Sequence, residues 1–143
     1  MTTSAAFLDM AGKASEWLHE TMRYLAITDE RLGLHALRAG LHALRDRLPA
    51  SEVVDLAAQL PTLIRGVYFE GWQPGNDPTA IRSRAAFMAR VRAGLGPDPR
   101  LDAEAVARAV IRVLAWHVSP GEVDDIMSTL PRAIATVFED GMA

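Results

Sequence analysis

The stretch RLGLHALRAGLHALRDRLPASEVVDLAAQLPTLIRGVYFEG, residues 31–71, decides the fold. Shifted by 70 positions it returns as LDAEAVARAVIRVLAWHVSPGEVDDIMSTLPRAIATVFEDG, residues 101–141, with no gap. About 11 of the 41 aligned positions are identical, among them Arg38/Arg108, Glu52/Glu122, Asp55/Asp125, Pro61/Pro131 and Gly71/Gly141. Unrelated segments would agree at only a few places, so the pattern reads as an internal repeat. The same offset pairs Trp17-Leu18 with Phe87-Met88, which extends the duplication to the preceding helix. The expected organisation is a first repeat at 1–72, a linker at 73–76 and a second repeat at 77–143.

Each copy reads as four helices. The first spans about 5–25 and 78–95, with Asp77-Pro78 opening the second of these as cap and first residue. The next spans about 29–48 and 99–118, capped by Thr28 and by Asp98 before Pro99. Leu34, Leu37, Leu41, Leu44 and Leu48 recur at alternating spacings of three and four, which draws one apolar stripe. Ala36, Gly40 and Ala43 flank it with small residues that admit a second helix at close range. A short third helix covers about 50–58 and 120–128, where Ser119-Pro120-Gly121-Glu122 has capping-box spacing. A fourth begins at Pro61 and Pro131, since proline interrupts a helix but suits a new first turn. No segment alternates with a strand period. The expectation is an all-α chain of about eight helices in two pseudo-equivalent four-helix repeats, packed as one compact domain because each repeat alone buries little surface.

Composition narrows the function classes. Half of the 143 residues are apolar and 23% are charged, with a net charge of −3. A disordered chain and a broadly basic nucleic-acid surface are therefore not indicated. Cysteine is absent, which excludes a disulfide scaffold, a thiolate metal site and a cysteine nucleophile. No run of 18 apolar residues occurs, and the start resembles no leader, so a cytoplasmic protein without a membrane role is expected. No phosphate-cradling glycine motif, nucleophile elbow, HExxH or calcium loop is present. The acidic pairs lack a histidine at di-iron spacing. The sequence assigns no catalytic residue, metal or cofactor.

The polar residues shared by both copies read two ways. Arg38 and Arg108 lie on the second helix of each copy, while Glu52, Asp55, Glu122 and Asp125 lie on the third. They are expected to form a duplicated scaffolding ion pair, since a broken buried pair is costly; the alternative is two equivalent charged sites. His35 and His42 alternate with Arg38 and Arg45 along one polar face. That face reads as solvated, or, with Arg38, His42, Arg45 and Arg108, as an anion site. Arg82, Arg84, Arg90 and Arg92 carry no neighbouring acid but do not form one row. His19 and His117 stand alone. Phe69 matches Glu139, Trp72 matches Met142 and Trp116 matches Asp46. Phe69, Trp72 and Trp116 are therefore the candidate partner surface, the competing reading being that Phe69 and Trp72 cover the linker or the seam between copies.

ALRAGLHALRDRLPASEVVDLAAQLPTLIRGVYFEGW, followed by FMARVRAGLG and AVARAVIRVLAWHVSPGEVDDIMSTLP, resembles the bacterial proteins grouped as domain of unknown function family 2267. The resemblance covers nearly the whole chain. It implies a small, duplicated, all-helical protein and brings no activity, cofactor or catalytic residue. The second copy departs from the pattern at Thr129, where Gln59 stands in the first, and in lacking the FEGW end. The leading expectation is a non-catalytic module that self-associates or binds another protein through the aromatic end and the small-residue flank. The alternatives are a sensor of a small anionic ligand between the copies and, third, nucleic-acid binding through the four arginines of 78–95.

Overall fold

The computed structural model describes residues 2–142, and side chains to residue 140. Met1, Ala143 and the side chain of Met142, the counterpart of Trp72, lie outside these. Eight α-helices and one 3-10 turn follow in order, with no strand among the described residues. They are α1 (Ala5–Leu25), α2 (Glu30–Arg47), α3 (Ala50–Ala57), α4 (Thr62–Phe69), the 3-10 turn (Pro78–Ala80), α5 (Arg84–Leu95), α6 (Ala103–His117), α7 (Pro120–Thr129) and α8 (Arg132–Met142). The chain is all-α.

The helix starts show where local hydrogen bonding overrides the sequence reading. Asp29, not Thr28, caps α2, accepting from the backbone N–H of Arg31 at 2.9 Å and Leu32 at 3.2 Å. Asp98 does not open a helix; its carboxylate folds onto the Arg100 N–H and guanidinium, and Asp102 caps α6 instead. The expected 78–95 helix is broken. Asp77 caps only the 3-10 turn, and Ser83 caps α5 by accepting from Ala86 N–H at 3.0 Å. Residues 76–83 fully bury no side chain, and only Ile81 among them packs against the core, so little there repays continuing the helix. α1 therefore runs 21 residues against 12 for α5.

α2 and α6 form the centre. α2 packs on α1, α4, α5 and α6, while α6 packs on α1, α5, α7 and α8; α3 and α7 meet each other. The leucine stripe is buried where it faces this centre, with Leu37 and Leu41 fully enclosed and Leu44 nearly so. Removing such a side chain costs about 2–5 kcal/mol. The small flank is used inside the chain: Ala36, Gly40 and Ala43 are all buried. A Cβ at Gly40 would run into the Val110 side chain, so this glycine is what lets α6 lie against α2. Positions 40 and 110 are equivalent under the 70-residue offset, so the two central helices meet at matching points. The expectation that this flank remains open for a partner is corrected by its occupancy. Among the described residues, no helix is long and apolar enough to cross a membrane.

Candidate functional site

The basic face of α2 is occupied by backbone. A helix leaves its last carbonyls without partners, and basic side chains can complete them. His42 donates from Nε2 to the Val67 carbonyl at 2.6 Å. Arg45, 2% exposed, donates from Nη1 to the carbonyls of Tyr68 and Glu70, both at 2.7 Å. Together they close the end of α4. His35 does the same for α5, donating to the Leu95 carbonyl at 2.7 Å. Burial holds His42 below the usual histidine range, so it serves as a neutral donor. Asp46 binds Arg45 at 2.9 Å and receives Arg90 of α5 at 3.0 Å, which ties the two helices together.

The expected scaffolding pairs take different partners. Arg38 binds Glu70 at 3.1 Å rather than Glu52 or Asp55. Arg108 binds Glu104 at 2.8 Å and Asp140 at 3.8 Å rather than Glu122 or Asp125. Glu70 and Asp140 are themselves equivalent under the offset, so a related pair recurs in both halves. The reason is geometric: α4 and α8 pack on α2 and α6, whereas α3 and α7 pack on each other. Of the anion-site candidates, Arg38, His42 and Arg45 meet at the end of α4 but are taken up by carbonyls and by Glu70, and Arg108 pairs with Glu104 and Asp140 instead. Arg38 lines a cleft of about 510 Å³ with Arg31, His35 and Arg100, but Arg100 is bound to Asp98 and Asp29 there. His42, Arg45 and Arg108 do not line it.

The aromatic candidates separate. Phe69 and Trp72 are half-buried against the core with ring centroids 5.4 Å apart, and Trp72 lines a small cavity with Gln73, Pro74 and Asn76 of the linker. Neither stands outward. Trp116 on α6 is 77% exposed. One turn back, Arg112 lies over the exposed Tyr24 ring of α1, 5.0 Å from its centroid. The next residue, His117, turns inward to stack on Trp17 at 4.7 Å and donates to Glu20 at 2.6 Å.

A third constellation sits where α3 meets α7. Glu52 and Glu122 are each the third residue of their helix, the place where a glutamate ordinarily reaches back to the cap N–H. Pro49 has no N–H to offer, and the Ser119 N–H is taken by Gln59 at 2.8 Å. Both glutamates are thereby released and face each other. They are 9% and 7% exposed, and one oxygen of each lacks any hydrogen-bond partner. With Asp125 their carboxylate oxygens lie within 4.8 Å of one another. Burial, then the charge and contact of Glu52, push the Glu122 carboxyl up to about 8. Sequence reading assigned these acids to the wrong partners. The signal that could have found them is their identity in both copies at i, i+3 spacing, which places Glu and Asp on one helix face.

The residues matched by family comparison include all of α2 to α7. No curated protein matches the chain. Over residues 14–137 it matches the family described as Uncharacterized conserved protein (DUF2267), and the chain belongs to that family.

Proposed function

We propose that the chain is a non-catalytic helical module that associates with another polypeptide, a second copy of itself included, through the α6 face bearing Trp116. The exposure of Trp116 carries this reading. A tryptophan left in water forgoes roughly 2 kcal/mol or more of burial. One turn before it, Arg112 lies over the exposed Tyr24 ring, and tryptophan, tyrosine and arginine are the residue types over-represented at the energetic centres of interfaces. The two halves, 1–72 and 77–143 joined by 73–76, are part of the proposal as a fused duplicate in which one half keeps a face free. The proposed setting is the cytoplasm, in keeping with a chain that has no cysteine to cross-link.

The anionic-ligand reading has less support, because the basic side chains assigned to it are bound to carbonyls or acids. Nucleic-acid binding is weakened likewise. Arg84 is bound to Glu104 and Arg90 to Asp46, while Arg82 and Arg92 donate to backbone carbonyls. The test is native mass spectrometry of the chain isolated gently from its own cells, wild type beside Trp116→Ala. A stoichiometric second polypeptide in the wild type, absent from the variant, is expected. A bare monomer in both contradicts the proposal.

A further inference from the structure

We propose that Glu52, Glu122 and Asp125 hold one divalent, oxygen-preferring cation between α3 and α7. The inference stands apart from the association proposed above and concerns the other side of the duplicated pattern. Three carboxylates from two helices converge here, and each offers an oxygen within 4.8 Å of the others. Convergence of acids is common on surfaces, but two of these three are enclosed. Glu52 and Glu122 are more than nine-tenths buried, and each aims into the junction an oxygen that no donor in the chain reaches.

Nor does the chain supply a counter-charge. Among the described residues, no lysine, arginine or histidine lies within ion-pair reach of Glu52, Asp55, Glu122 or Asp125. Elsewhere in this protein a half-buried acid is met by arginine, as Asp46 is by Arg45 and Arg90. A buried carboxylate without a counter-charge is costly, and a bound cation would offset that cost with both glutamates ionised, where otherwise a retained proton must do so. The donor set is oxygen alone, which suits magnesium, manganese or calcium rather than zinc or copper. Asp125 is exposed, and so is Asp55 one turn beyond Glu52. The cluster is thus open to solvent on the side of these two aspartates, where water could complete the coordination that such cations need.

Chelator-treated protein at mildly alkaline pH would be titrated with manganese chloride, reading the loss of the free-ion paramagnetic signal and the melting temperature. One manganese bound per chain, with a melting temperature that rises with ion concentration, is the expected result. Glu52→Gln and Glu122→Gln keep the side-chain volume and relieve the repulsion, so both variants fold, and each should lose tenfold or more in affinity, roughly the scale of disturbing a metal site. Asp9→Asn, on the exposed start of α1, should bind as the wild type does. Wild-type protein that leaves the manganese signal unchanged overturns the proposal and leaves the two glutamates sharing a proton. Glutamine variants that bind as well as the wild type overturn it too, by placing the ion elsewhere.

Discussion

His42, Arg45 and Asp46 on α2 have as counterparts Arg112, Ala115 and Trp116 on α6, and the two triplets serve opposite ends. On α2 all three side chains turn into the fold, closing the end of α4 and fastening α5. On α6 the arginine lies over an exposed tyrosine and the tryptophan stands in water. The helices occupy matching positions under the 70-residue offset and share a central place in the packing. What differs is how much of each surface the rest of the chain uses. Where one copy needs its polar face for structure, the other is free to present a different one, and that is where an association surface is to be sought.

The largest effect should come from the engaged side. Arg45→Ala removes a buried guanidinium and leaves the Tyr68 and Glu70 carbonyls and Asp46 without it, which should cost about 3–5 kcal/mol in chemical denaturation, whereas Arg112→Ala should stay within about 0.5 kcal/mol. Equal losses would break the comparison. Next in size is the carboxylate junction in chelated buffer. Glu122 keeps its proton up to about 8 in the fold but releases it near 4.5 when unfolded. The folded state therefore binds more protons across that window, and wild-type stability should fall as pH rises from about 4.5 to about 8. Glu122→Gln should flatten the dependence and be the more stable form above it. Glu52→Gln removes the neighbouring charge but leaves Glu122 buried, so it should lessen the dependence without abolishing it.

Smaller effects sharpen the picture of matching positions. Gly40→Ala forces a methyl against Val110 and should cost about 1–3 kcal/mol, with Val110→Ala restoring most of it. Ala26 and Gly96 end α1 and α5 at equivalent positions, both at positive φ, 53° and 69°. Only one of them is a glycine. Ala26→Gly should therefore gain about 0.5–1 kcal/mol despite the wider freedom of the unfolded chain. Trp116→Ala should change stability least, within about 0.5 kcal/mol, while abolishing association.

Helix number, the short third helices and the proline-led fourth helices were legible in the sequence, because periodicity, caps and proline act within a few residues. Which acid meets which arginine was not. Arg38 could have met Glu52 or Glu70 on spacing alone, and the choice follows from α4, not α3, lying on α2. The His42 and Arg45 bonds were hidden for the same reason, since a free carbonyl at a helix end leaves no mark in the sequence. Trp116 was visible only as a mismatch with Asp46. The released glutamates were marked by their identity in both copies, yet their meeting depends on Gln59 reaching across to Ser119.

The most direct test of the central claim places a photo-reactive residue at position 116 of α6 and, in a separate strain, at the exposed position 89 of α5. Irradiation in living cells should yield one discrete adduct, with a second copy or a single other polypeptide, from position 116 and none from position 89. An adduct from 89 alone, or none from either position in a chain that accumulates normally, would contradict the assignment of the α6 face.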